Sequence, residues 1–147
     1  MKTLIVYDSL YGNTGKVADA IGTAIGEDVH VVHANQVDSH SLGELDLLIV
    51  GSPTHGSMPS EAIQAFLSTM DAPGKQTARA LAFDTRLTWK FLDKFGGAAD
   101  KIADALKVKG WQLALPPEGF LVGGLRRGPL KYGELERAAS WAKQLKE

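Results

Sequence analysis

Apolar residues along this chain fall into short continuous runs that alternate with stretches repeating at helical spacing. Leu4-Ile5-Val6-Tyr7 is apolar throughout, the pattern of a strand covered on both faces, and it predicts a central strand of a parallel sheet. Val17, Ile21, Ala24 and Ile25 then fall at i, i+4, i+7 and i+8, which gives a helix with one apolar stripe, and Gly26 ends it. Val29 to Val32, with His30 and His33 beside them, has one clearly apolar side and suits an edge strand. Leu47-Leu48-Ile49-Val50 is a second continuous run, separated by Gly51 to Pro59 from a helix with Ile63, Phe66, Leu67 and Met70 on one face. Ala80-Leu81-Ala82-Phe83 predicts a fourth strand, and a helix around Ala98 to Lys109 stops at Gly110. Gln112 to Leu115 and Phe120 to Val122 form a fifth strand interrupted by Pro116-Pro117, and Leu135, Ala138, Ala139 and Ala142 mark the last helix.

Five strands alternating with helices predict a three-layer α/β sandwich, because right-handed crossovers between parallel strands place helices on both faces of the sheet. Ligands of such folds sit at the carboxyl ends of the strands, where the winding direction reverses. Those ends are the loops Asp8 to Thr14, Ser52 to Pro59 and Asp84 to Gly97. A length of 147 residues fits one domain, 1–147, with no internal repeat or linker. Sixteen Lys plus Arg against seventeen Asp plus Glu leave a net charge of -1, which gives no reason to expect nucleic acid or an anionic membrane as partner. The chain has no cysteine, so disulfides, thiolate metal sites and Cys nucleophiles are excluded. With no signal peptide and no apolar run suited to membrane insertion, the expected location is the cytoplasm.

Ser9-Leu10-Tyr11-Gly12-Asn13-Thr14 opens onto a helix amino terminus, where unpaired N–H groups and the helix dipole suit a phosphate. The hydroxyls of Ser9 and Thr14 and the Asn13 amide add donors, and Gly12 lets the backbone curl closely. Capping of the helix by Asn13 or Thr14 is the alternative for the same residues. Lys16 does not make a nucleoside-triphosphate loop, since Leu10 stands where that motif needs glycine and Val17 where it needs Ser or Thr. A phosphoacceptor receiver domain is disfavoured as well, because Gly51-Ser52 ends the third strand where its aspartate belongs. His30, His33 and His40 show no metal-ligand spacing, and Trp111 and Trp141 read as packing residues.

Ser-x-x-Gly-Asn-Thr after the first strand resembles the phosphate loop of the flavodoxins, small carriers of flavin mononucleotide (FMN). Gly51-Ser52-Pro53-Thr54-His55-Gly56 looks like their second flavin loop, Phe83-Asp84-Thr85-Arg86 stands where they have a third, and Gly97 to Ile102 resembles the helix that follows. The resemblance spans essentially the whole chain and is closest to the short-chain branch. It implies a five-stranded parallel sheet of order 2-1-3-4-5 and FMN as cofactor, with the phosphate held by residues 9–14. The isoalloxazine ring would lie between the His55 loop, with Ser52, Pro53 and Thr54, and a loop carrying Asp84, Thr85, Arg86 and either Trp89 or Phe91. It further implies electron carriage between a reductase and an acceptor protein by a monomer or weak dimer, with the Gly56 carbonyl turning toward flavin N5 on one-electron reduction.

Two departures from the family's pattern matter. His55 occupies a position that often holds a larger aromatic ring, and an imidazole covers less area and titrates near neutrality. Arg86 puts a cation where the family keeps neutral or acidic groups: it would either favour the reduced flavin anion or pair with Asp84 as an ordinary ion pair. Arg86 and the near-neutral charge also leave open a small FMN oxidoreductase acting directly on a quinone or porphyrinogen.

Overall fold

The computed structural model describes residues 1–87, 97–123 and 128–146. In chain order its main elements are β1 (Thr3–Tyr7), α1 (Asn13–Ile25), β2 (Val29–His33), β3 (Leu47–Pro53), α2 (Glu61–Thr69), β4 (Arg79–Leu87), α3 (Ala98–Val108), β5 (Gln112–Leu113), β6 (Glu118–Val122) and α4 (Glu134–Lys143). Every strand pair is parallel, in the order β2-β1-β3-β4, with β5 and β6 both lying along the outer edge of β4. The expected 2-1-3-4-5 order is therefore formed, with two short strands sharing the fifth position. Pro116 and Pro117 separate them because neither has an N–H to donate to a ladder.

Alternation along the strands sorts the core onto two faces. Val6, Leu48, Val50, Ala80 and Ala82 pack beneath α2 and α3 through Ile63, Phe66, Ile102 and Leu106. Ile5, Ile49, Leu81 and Phe83 pack beneath α1 and α4 through Val17, Ile21, Ala138 and Trp141. Trp111 and Trp141 are buried, as expected of packing residues. Trp111 donates its indole N–H to the Asp71 carbonyl, and Trp141 meets Phe83 and Phe120 edge-on. On the α4 side, Arg137 lies over the Phe120 ring at 4.5 Å and binds Glu134, Glu118 and the Gly119 carbonyl, which ties α4 to β6.

The sequence pattern ends the fourth strand at Phe83, but β4 continues to Leu87. The cause is β6, whose residues Glu118 to Val122 pair with Phe83 to Leu87 and carry the strand past its last apolar residue. β3 is likewise extended, with Ser52 opposite Asp84 and Pro53 opposite Thr85. Residues expected in loops thus stand on a rigid sheet edge.

Gly51 is needed for packing rather than for its dihedral freedom. A Cβ there would lie 2.0 Å from the Phe83 ring, whose edge meets Phe120 with centroids 6.2 Å apart. Gly51→Ala is expected to cost about 1–3 kcal/mol, the usual penalty of overfilling a packed core. Urea unfolding would check this, and an unchanged midpoint would show that the ring moves aside freely.

Candidate functional site

At the carboxyl end of the sheet, Gly12 precedes α1 in a left-handed conformation, φ 90°, with open space where a side chain would stand. No side chain caps the helix and its first turn carries no acid. The Ser9 hydroxyl accepts the Gly15 N–H at 3.2 Å, and the Lys16 N–H reaches the Gly12 carbonyl. Among the described residues, the backbone N–H groups of Leu10, Gly12, Asn13 and Thr14 have no acceptor. Asn13 is 6 % exposed, and its Nδ2 is buried without a partner. Gly128, at φ 89°, closes over this amide so tightly that a Cβ would lie 2.5 Å from Nδ2. Capping, the alternative role for Asn13 and Thr14, is not what either side chain does: the Thr14 hydroxyl bonds the Thr85 hydroxyl at 2.8 Å.

Beside this loop, β3 and β4 supply the floor of a small open cleft. Leu10, Tyr11, Asn13, Thr14, Pro53, Thr54, His55, Thr85, Arg86, Leu87 and Val122 line it. Of the expected residues, Ser9, Gly12, Ser52, Gly56 and Asp84 do not, and Trp89, like Phe91, falls outside the described residues. Leu87 and Val122 were not among the expected site residues, because they meet at the cleft only where β4 runs on past Phe83 as the partner of β6.

The expected residues away from the cleft wall build its frame. Ser52 Oγ accepts the Ser60 N–H at 2.8 Å and donates to the Pro53 carbonyl, which fixes the start and end of the 53–60 loop. Within that loop His55 and Met58 exchange two backbone hydrogen bonds around Gly56 and Ser57, both with positive φ, a turn that glycine enters at little cost. Thr54 holds both neighbours, through its N–H to the Thr85 carbonyl and its hydroxyl accepting from the Ala98 N–H. Beneath the first loop, the Asp8 carboxylate accepts the Ser9 N–H and lies 2.8 Å from His33 Nε2. The sequence assigns His33 no more than a solvated or packing role, and its ring does pack edge-on against Tyr7 with centroids 5.5 Å apart. The parallel register that sets Tyr7 opposite His33 is the signal that brings it next to Asp8.

Asp84 and Arg86, two residues apart on β4, point to the α3 face. Asp84 is fully buried and takes both Arg86 Nε and Nη2, at 2.8 and 2.7 Å, while its Oδ2 also accepts the Ala99 N–H. The ion pair with Asp84 is formed, and Arg86 lines the cleft as well. Burial pushes the Asp84 carboxyl above its ordinary value, against the opposing hydrogen bond and charge of Arg86. Gly97 and Gly119 flank the guanidinium, and a Cβ on either would stand within 2.5 Å of it.

The flavodoxin domain pattern matches residues 4–115. A flavodoxin of Nitratidesulfovibrio vulgaris (strain Miyazaki F) is 34 % identical over 124 residues, covering 73 % of this chain and 84 % of that protein. The chain belongs to the flavodoxin family. Solved flavodoxins share the whole fold: flavodoxin 2 of Bacillus cereus superposes with a TM-score of 0.80 at 23 % identity over 99 % of this chain and 98 % of its own, and that of Streptococcus pneumoniae with 0.78 at 22 % over 99 % and 98 %. Flavodoxins bind FMN and transport electrons, and FMN is the cofactor of the family to which this chain belongs. The site fits that group: unpaired amides and a buried carboxamide donor at a helix amino terminus suit a phosphomonoester. No helix among the described residues is long and apolar enough to cross a membrane.

Proposed function

We propose that the cleft binds FMN, its phosphate in the 9–14 loop and its ring system beside Pro53, Thr54 and His55, and that the chain passes electrons from a reductase to an acceptor protein. The observation that carries this reading is Asn13 Nδ2, a buried donor without a partner at a helix end where further amides also lack acceptors. Leaving such donors unsatisfied is unfavourable by about 1–3 kcal/mol for each buried group, and an anion would satisfy several at once. Bound FMN supplies the redox chemistry. Ser9 and Gly12 shape the phosphate loop and Thr14 contributes a hydroxyl. Ser52, Gly56 and the Asp84–Arg86 pair hold the surrounding turns and strand, and Leu10 and Tyr11, about half exposed, form the rim. The alternative, direct action on a quinone or porphyrinogen, draws on Arg86 and the near-neutral net charge; of these, Arg86 has the Asp84 carboxylate 2.7 Å away as counter-charge.

Titration of the apoprotein with FMN and with riboflavin tests the reading. FMN should bind with a perturbed flavin spectrum and at least about tenfold more tightly than riboflavin, because charge-assisted hydrogen bonds to the phosphate are worth about 1.5–3 kcal/mol each. Equal affinity for the two flavins would remove the phosphate site, and absence of FMN binding would remove the whole proposal. Steady quinone reduction by a nicotinamide donor without any added reductase would favour the enzyme instead of the carrier.

A further inference from the structure

The Thr14–Thr85 contact joins the head of α1 to β4 across 71 positions of sequence, with both hydroxyls buried and 2.8 Å apart. Two hydroxyls bring two protons, and the bond between them uses one. Neither oxygen has a second partner among the described residues, so one proton of the pair is left over in a site where its desolvation is unfavourable. Thr14 follows Asn13, whose Nδ2 is buried without a partner, and both residues line the cleft. An anion at the head of α1 would accept the remaining proton from Thr14, provided Thr85 donates to Thr14.

We propose that Thr85 is a positioning residue which, by donating its hydroxyl proton to Thr14 Oγ1, aims the Thr14 proton at the phosphate and so sets the preference for a phosphorylated flavin over the bare one. This rests on the FMN reading above and deepens it. The order of donation is fixed by the ligand: an acceptor-only group on Thr14 requires Thr14 to give its proton outward and to receive one from behind. Donation in series strengthens each bond, since a hydroxyl that accepts becomes a better donor. Thr85 needs no contact with the cofactor for this role.

The test compares FMN and riboflavin dissociation constants in wild type, Thr85→Val and Thr85→Ser. Valine keeps the shape and the strand preference but removes the hydroxyl, and FMN affinity is expected to fall about five- to tenfold relative to riboflavin affinity. Serine should restore the wild-type ratio. Thr85→Ala provides the same comparison if the valine variant does not fold. Inorganic phosphate offers a second readout, since its stabilisation of the apoprotein against heat should weaken in Thr85→Val and return in Thr85→Ser. An unchanged FMN-to-riboflavin ratio in a folded hydroxyl-free variant, or equal weakening of both flavins, overturns the role of Thr85 without touching the proposed function. Failure of wild type to bind FMN overturns the proposed function itself.

Discussion

Arg86→Ala is expected to lose about 3–5 kcal/mol of folding stability at neutral pH, the usual cost of removing one partner from a buried ion pair. Asp84 is completely inaccessible to solvent, and two of its three hydrogen bonds, at 2.8 and 2.7 Å, come from Arg86. Without the guanidinium, a carboxylate remains in a site shaped for a charged pair, with only the Ala99 N–H to hold it. The loss should depend on pH in a direction opposite to that of an ordinary paired acid. Burial already raises the Asp84 carboxyl above 3.8, with Arg86 the main opposing influence, so removing Arg86 raises it further. A carboxyl whose folded value is raised contributes stability at low pH and loses it as pH rises through that value. The deficit of the variant should therefore be largest at pH 7 and shrink on acidification toward the ordinary carboxylate range. Adding Asp84→Asn to the variant should recover part of the loss, since an amide is far less costly to leave in that site than a charge. Urea unfolding of the apoproteins over a pH series measures all three effects. A single variant within about 1 kcal/mol of wild type at pH 7 would mean that water reaches the carboxylate once arginine is gone.

The same pair shows where the sequence could be read and where it could not. Continuous runs such as Leu47 to Val50 and stripes such as Ile63, Phe66 and Leu67 disclose buried strands and helices because burial selects apolar side chains at a fixed period. The proposed phosphate loop is legible for a different reason: its residues are contiguous, so Ser9, Gly12, Asn13 and Thr14 can be read together without knowing the fold. Asp84-Thr85-Arg86 offers neither clue. Its polar residues look like the end of a strand, yet β6 pairs with Phe83 to Leu87 and turns them into sheet. Once they are strand, alternation decides their roles, sending Thr85 to the Thr14 side and Asp84 and Arg86 to the α3 side. The two glycines that make room for the guanidinium, Gly97 and Gly119, are separated from it by 11 and 33 positions, so no local pattern could have announced them. The contact of His33 with Asp8 is hidden for the same reason, since only the β1–β2 register sets the two side by side.

The proposed phosphate loop also carries the largest expected effect on binding. Asn13→Asp changes one buried donor group into an acceptor of nearly identical shape and places a negative charge at the seat assigned to the FMN phosphate. Two unit charges about 4 Å apart at an effective dielectric constant near 20 repel by about 4 kcal/mol. Half of that already corresponds to about a 30-fold change in affinity, and the phosphate is close to doubly charged. FMN affinity should consequently drop by about 100-fold or more, with riboflavin affinity held within about threefold because the bare flavin brings no phosphate to repel. Folding should be much less affected, since the new carboxylate would sit in the first turn of α1, where the dipole favours it by about 0.3–1 kcal/mol and where amides without acceptors could bind it directly. The divergence between the two flavins is the informative quantity. A variant that lost both equally would owe its defect to a distorted loop, and one that kept full FMN affinity would show that the phosphate does not lie at the head of α1.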